Sequence, residues 1–369
     1  MRELHTIYEI NSAHQNSPPE AQIPAPFRQL LASAKAVNRL SCLPFPLARE
    51  KASADAVGRA KPLPVENVRD LADVESVDLS TLPRIETRIP DIDRVIGGFY
   101  FGQVVLLSGR RGEGKSTFLS QMVLEARDQG YGCFVYSGEL TDYNFRAWLD
   151  LQAAGAERVV TTRNPYGDAQ YHVPEALKPA LDDWYRGKVY LYDNNAIPNE
   201  RGELETLTDT IEKSIRRYDL RAVFIDNLMT AMDIDTKDDL YQAQSEFLRR
   251  LKTIAIRYNV MILLVAHPRK TGRDVEDNDD VSGSADITNR VDTVLIYSRA
   301  KQDDEFDGKI VVTKNRLTGK LAKGDGAIRL MYSQSSKRIT SAARGTVARR
   351  YGWETGTVEP AVYPPELPF

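Results

Sequence analysis

The sequence predicts an α/β fold: a mainly parallel central sheet flanked by helices, with C-terminal β-hairpins and a partly helical N-terminal arm. Three observations carry this expectation. From TRIPDIDRVIGG at Thr87 onward, short β-branched runs alternate with amphipathic helical segments, the pattern of strands joined by crossover helices. The run VVLLS from Val104 leads directly into GRRGEGKST, giving strand, glycine-rich turn and helix in that order. After Ser298, KIVVTKNR and AIRLMYS flank LTGKLAKGDG, which reads as a hairpin.

In chain order, residues 1–84 carry scattered prolines and no strand alternation, and form the expected arm and linker. FRQLLASAKAV and PLAREKASADAVGRA have the composition of short helices, and KPLPVENVRDLADVESVDLSTLPRI reads as an extended linker. Strands are expected at VVLLS (Val104), CFVYS (Cys133), VYLYD (Val189), AVFID (Ala222), VMILLVAH (Val260) and TVLIYS (Thr293). Between them, Leu204, Leu207, Ile211 and Ile215 recur at helical spacing, as do Leu240, Ala243, Phe247, Leu251 and Ile254; both stripes are core-facing. The core is expected over 85–345, and 346–369, ending EPAVYPPELPF, as a flexible tail.

Net charge is only −3 over 369 residues, so no global positive field points to nucleic acid and any such surface must be local. Cys42 and Cys133 are the only cysteines, which supports neither a disulfide framework nor a cysteine-rich zinc site. No run of about 18 apolar residues occurs, so a soluble, unexported chain with no membrane partner is expected.

Gly109, Gly114, Lys115 and Ser116 satisfy G-x-x-x-x-G-K-[ST], with Gly112 as an added glycine. The glycines let backbone N–H groups of Arg110, Arg111, Glu113 and their neighbours turn toward a phosphate, and the helix starting at Lys115 and running through Thr117 adds its positive end. Lys115 reaches the terminal phosphates and Ser116 offers a hydroxyl to Mg2+. Asp226, at the end of AVFID on a neighbouring strand, is expected as the second Mg2+ anchor, because an aspartate there is costly unless paired. Glu139 ends the strand next to the cradle and can orient or deprotonate an attacking water. His267 closes VMILLVAH; a γ-phosphate sensor and a structural histidine are both open readings of it.

Taken together, IPDIDRVIGGFYFGQVVLLSGRRGEGKST, VYSGELT, AVFIDNL, LLVAHPRK, SGSADITNRVDTVL and VVTKNRLTG resemble, in the same order, the RecA-like hexameric helicases of the DnaB superfamily. The resemblance is nearest to the helicase part of phage primase-helicases and Twinkle-type helicases, and covers about residues 84–335. It implies a RecA-like P-loop ATPase core using ATP or another NTP or dNTP with Mg2+. Glu139 would then be the catalytic carboxylate, Asp226 the Mg2+ partner and His267 the sensor. Arg316 would be the finger entering the neighbouring subunit's site, with Lys314 beside it, and Tyr332 would fall near the adenine. The linker from Val65 to Ser80 would dock on an adjacent subunit.

Relatives use the loop after His267 to grip single-stranded DNA. Here Arg269, Lys270 and Arg273, with backbone N–H groups around Ser282, Gly283 and Ser284, are the expected contacts, whereas Asp274, Glu276, Asp277, Asp279 and Asp280 oppose phosphate. The implied activity is that of a ring-forming, ATP-dependent DNA helicase or translocase in replication. Its partners would be DNA, further copies of itself, and primase, polymerase or other replisome proteins. The implied setting is the cytoplasm of a bacterium or phage-infected cell, with the mitochondrion as the alternative. Residues 1–84 hold no zinc-ligand cluster, so this chain is not expected to prime. The other reading is a RecA-like recombination or regulatory ATPase that does not unwind; a small-molecule kinase lacks the expected arginine-rich lid.

Overall fold

The inner strands of the central sheet divide their side chains between two apolar layers, and that division is what buries the middle of the sheet on both faces. The computed structural model describes residues 68–74, 76–195, 205–232, 240–267, 285–343 and 349–355. The chain divides into two units, Met1–Val77 and Asp78–Phe369. In the first, the described residues contain one 3-10 turn, Leu71–Asp73, capped by the Asp70 carboxylate, which accepts from Ala72 N at 2.9 Å.

The second unit begins with a similar turn, Leu79–Thr81, capped by Asp78. A short antiparallel pair, β1 (Arg84–Ile85) and β2 (Phe99–Tyr100), brackets α1 (Pro90–Ile96). Then follow β3 (Val104–Ser108), α2 (Lys115–Asp128), β4 (Gly132–Ser137) and α3 (Asp142–Ala154). A hairpin of β5 (Val160–Arg163) and β6 (Ala169–His172), absent from the sequence expectation, precedes α4 (Lys178–Tyr185) and β7 (Val189–Leu191). The chain continues through α5 (Leu207–Tyr218), β8 (Leu220–Asp226), α6 (Leu240–Arg257), β9 (Met261–Ala266) and α7 (Ala285–Arg290). It closes with β10 (Thr293–Arg299), β11 (Gly308–Asn315), β12 (Ile328–Tyr332), β13 (Ile339–Ser341) and α8 (Gly352–Thr355).

The main sheet has nine strands in the order β13-β12-β11-β10-β3-β9-β8-β4-β7. From β10 to β7 every neighbouring pair is parallel, and β11, β12 and β13 add antiparallel at one edge. Val105, Leu107, Cys133, Val135, Phe224, Leu263 and Val265 point to the layer that contains α2. Val104, Leu106, Phe134, Val223, Ile225, Ile262 and Leu264 point to the other, where α5 and α6 lay Ile211, Ile215, Phe247 and Leu251. Period-two alternation on buried strands requires both faces to be covered, and the two helical stripes supply one of the covers.

Two expectations are corrected. Asp226 and Glu139 do not follow strands beside β3: β9 lies between β3 and β8, and β4 is one strand further out. The periodicity of a strand says which face is buried but not which strand it pairs with, so the order was open until the crossovers packed. Residues 349–355, expected in a flexible tail, pack on α2. Tyr351 is 1% exposed and donates its hydroxyl to Glu125 Oε1 at 2.9 Å, and Gly352 N donates to Asp128 Oδ1 at 2.6 Å. Among the described residues no helix is long and apolar enough to cross a membrane.

Candidate nucleotide site

The C-terminal ends of β3, β9, β8 and β4 converge on one cleft of about 1020 Å3. Parallel strands place their carboxyl ends on one edge, so residues far apart in sequence arrive at the same crevice. Arg111, Gly112, Glu113, Gly114, Lys115, Ser116 and Thr117 line it from the turn after β3, Glu139 from the turn after β4, and Asp226 and His267 from β8 and β9.

The turn itself needs glycine. Gly112 and Gly114 have φ of 75° and 116°, and Gly109, at 149°, has no room for a side chain: a Cβ there would lie 2.2 Å from Tyr297 O. Lys115 is 5% exposed and donates Nζ–H to Arg110 O at 2.7 Å. Burial pulls its pKa below the ordinary lysine value, against the nearby negative charges of Asp226, Glu139 and Glu113. Burial likewise raises the Asp226 carboxyl above its ordinary range, while a hydrogen bond with Ser116 pulls it back. Removing a carboxylate from water costs on the order of several kcal/mol, more than the roughly 1.5–3 kcal/mol of one charged hydrogen bond. Asp226 therefore suits a position beside a cation.

Ser116 and Asp226 are a pair of hard oxygen donors, and no cluster of three or more His, Cys, Asp or Glu residues able to hold a metal occurs among the described residues. That donor set fits Mg2+, which takes most of its ligands from phosphate oxygens and water, and does not suit a metal needing an all-protein cage.

Glu139 is tied into a triad that the sequence expectation missed. Asn227 Nδ2 donates to Glu139 Oε1 at 2.5 Å, and His267 Nε2 lies 3.1 Å from the same oxygen and 3.3 Å from Asn227 Nδ2. His267 Nε2 can donate to Glu139 or accept from Asn227, but not both, so its tautomer is coupled to the carboxylate. Asn227 is itself fixed, its Oδ1 accepting from Met229 N at 2.9 Å. The only signal for it was its place immediately after Asp226 in FIDN.

At the far end of the cleft, Tyr332 lines the wall with Trp148, Gln334 and Lys337. Lys337 Nζ sits 5.3 Å from the Trp148 ring centroid and 6.0 Å from that of Tyr332, and these two rings give the cleft an aromatic end suited to a flat base. Of these, only Tyr332 was anticipated.

Arg316 and Lys314 are not at the cleft. Asn315 pairs with Thr293, and Thr293 with Val105, which puts Arg316 beside the start of β3, whereas the glycine turn leaves its end. Arg316 Nη2 donates to Asn289 O at 2.5 Å and Lys314 Nζ to Thr288 O at 2.6 Å, so both cations close the carbonyl end of α7. Gly109 and Arg110, also in the expected set, stand off the cleft wall. Arg269, Lys270, Arg273, Ser282, Gly283 and Ser284 lie outside the described residues.

A family described as an AAA domain matches residues 72–273, more than half of the chain. The sequence is 24% identical over 235 residues to the replicative DNA helicase DnaB of Helicobacter pylori, and 27% identical over 227 residues to the DNA repair protein RadA of Listeria monocytogenes. These alignments cover 60% and 61% of this chain but only 46% and 39% of the relatives, so the chain spans less than half their length. In structure it is similar to a solved ATPase domain, with a TM-score of 0.56 at 15% identity, covering 72% of this chain and 93% of that one. It is also similar to a DnaB-like replicative helicase studied with primase, with a TM-score of 0.58 at 16% identity, covering 73% of this chain and 65% of that one. These structural likenesses show a RecA-like P-loop fold.

Proposed function

We infer that this chain, which belongs to the AAA-domain family and to the DnaB/RecA-like helicase superfamily, acts as a ring-forming, ATP-dependent translocase on single-stranded DNA. The observation that carries the reading is the separation of Arg316 from the cleft. β3 is five residues long, which at about 3.3 Å per residue puts roughly 13 Å between its two end residues. A finger at Arg316 therefore cannot complete its own chain's site, which supports a role in the site of a neighbour.

Within one site, Lys115 and the turn hold the phosphates, Ser116 and Asp226 hold Mg2+, and the aromatic end around Tyr332 receives the base. When bound, Mg2+ neutralises charge on the phosphate oxygens. Glu139 is the base for the attacking water, and Asn227 and His267 fix its orientation. Arg316 and Lys314 bind the carbonyl end of α7, the helix that follows residues 268–284. This contact supports a coupling between the DNA grip expected of those residues and a neighbour's hydrolysis. Exposed apolar side chains from Val68 to Leu79, with Leu71 83% exposed, support docking of the linker on another subunit. Primase and other replisome proteins are the partners this reading extends to.

The likeness to RadA supports a second reading, a RecA-like repair or recombination ATPase that binds DNA without unwinding. One experiment separates the two: ATPase rate with and without single-stranded DNA, run beside strand separation on a forked duplex. DNA-stimulated hydrolysis with unwinding is expected. Stimulation without unwinding moves the assignment to the second reading, and hydrolysis indifferent to DNA overturns both.

A further inference from the structure

The aromatic end of the cleft is tied to the phosphate cradle through two buried glutamines. Gln152 of α3 donates Nε2–H to Thr117 O at 2.8 Å and to Lys337 O at 2.9 Å, and its Oε1 accepts from Ser120 Oγ at 2.7 Å. Gln121 of α2 donates Nε2–H to Ile339 O at 2.8 Å and accepts from Ile339 N at 2.7 Å. Both side chains are shut off from water. The turn between β12 and β13 is therefore indexed to the helix that begins at Lys115, so a nucleotide seated by its phosphates presents its base to the same side chains each time.

One of those side chains stands where glycine would fit more easily. Lys337 has a φ of 58°, in the left-handed region, and backbone strain of this kind clusters at ligand-binding positions. Its Nζ lies beside the Trp148 and Tyr332 rings, with which it lines the cleft. Among the described residues it has no hydrogen-bond acceptor and no ion-pair partner, and burial is the one influence on its pKa, which it lowers. Asp307, a carboxylate in the same wall, is engaged by Tyr332 N at 2.8 Å. Trp148 Nε1, a second donor, is buried without a partner among the described residues.

An ammonium and an indole N–H can only donate, whereas the Tyr332 hydroxyl and the Gln334 amide can donate or accept. A base that suits this end brings acceptors. Guanine and hypoxanthine present O6 and N7 side by side, a pair that lysine recognises, while adenine sets its 6-amino donor beside N7 and leaves an ammonium opposed by N–H. We propose that Lys337 reads the 6-carbonyl of a purine, so that the cleft takes guanine nucleotides in preference to adenine nucleotides. This preference rests on the nucleotide reading of the cleft and narrows its substrate class. ATP is still held through its phosphates, which the cradle grips whatever the base, and the discrimination appears in affinity rather than in the chemical step.

Equilibrium binding of GDP, IDP and ADP with Mg2+ to the full chain tests this. GDP and IDP share O6 and N7, and both are expected to bind about tenfold more tightly than ADP. Lys337→Met keeps the length of the side chain, removes its donors and should bring the three affinities to within about twofold of one another. Lys337→Gly, which suits the backbone at this position, should do the same and serves if the methionine variant melts early. Lys337→Arg should keep the preference, because a guanidinium also donates to O6 and N7. Wild-type protein that binds ADP as tightly as GDP overturns the proposal. So does a Lys337→Met chain that loses affinity for all three equally, since the ammonium then touches the sugar or a phosphate. IDP that binds like ADP overturns it as well, since the 2-amino group of guanine is then what is read. Failure of all three to bind overturns the nucleotide reading and the proposal together, whereas binding without preference overturns the proposal alone.

Discussion

Asn227 donates its Nδ2–H to Glu139 Oε1 across 2.5 Å, joining the residue that follows β8 to the turn that follows β4. The bond spans 88 positions of sequence and sets where the candidate base points. Because Asn227 acts through Glu139, removing it should change the chemical step more than nucleotide binding.

Glu139→Gln is expected to lower kcat for ATP hydrolysis by about 10²–10⁴-fold. Asn227→Ala should lower it less, by about tenfold, with KM for ATP changed by less than roughly threefold. Steady-state kinetics reads this, and an Asn227→Ala enzyme with wild-type kcat would remove Asn227 from the site.

The place of Arg316 gives a complementation test. Lys115→Ala and Arg316→Ala should each be nearly inactive, the latter by a factor of about 10³ or more while still binding nucleotide. Mixed in equal amounts before assembly, they should recover roughly a quarter of wild-type sites, because some interfaces join an intact Lys115 to an intact Arg316. A mixture no more active than its parts means that sites are not shared.

Gly109→Ala probes the cradle's geometry. Its φ of 149° and the 2.2 Å approach to a backbone oxygen leave no flexible atom to give way. The turn has to shift from Tyr297, at a cost of about 1–3 kcal/mol in stability, and nucleotide affinity should fall with it. Thermal melting with and without ADP measures both; a variant that melts and binds as wild type would contradict the packing.

Glu125 makes stability depend on pH. Burial pushes its carboxyl from the ordinary 4.5 to about 8, although Arg88 and the Tyr351 hydroxyl favour the charged form. The folded chain thus holds this proton more tightly than the unfolded chain. The contribution to stability is full below about pH 4.5 and is lost as pH rises toward 8. Glu125→Gln should remove that slope, so the melting temperature of the wild type should fall relative to the variant between pH 5 and 8.5. Parallel melting curves would show that Glu125 stays ionised throughout.

Charging the linker tests assembly. Leu71→Asp with Val74→Asp places two carboxylates where apolar side chains are 83% and 52% exposed. Since neither is buried within the chain, monomer stability should be unchanged, whereas the mass measured by light scattering with nucleotide present should fall. An unchanged mass removes the linker from the interface.

The sequence by itself determined whatever depends on neighbours along the chain. GRRGEGKST declared a phosphate cradle because its glycines, its lysine and the helix behind them act within a few residues. The alternating apolar runs declared strands buried on both faces, and Leu207, Ile211 and Ile215 declared a packed helix, since periodicity is local. Glu139, Asp226 and His267 could be named because strand ends are where parallel sheets place their sites. What only the tertiary structure decided is how those ends are ordered. β9 inserts between β3 and β8, Asn227 reaches Glu139, and Arg316 lies at the wrong end of β3 to serve its own cradle. The docking of Tyr351 on Glu125 belongs to the same class. Each joins segments far apart in sequence, and which segments meet is fixed by how crossover helices and edge strands pack against one another, a property of the whole core that no single stretch carries.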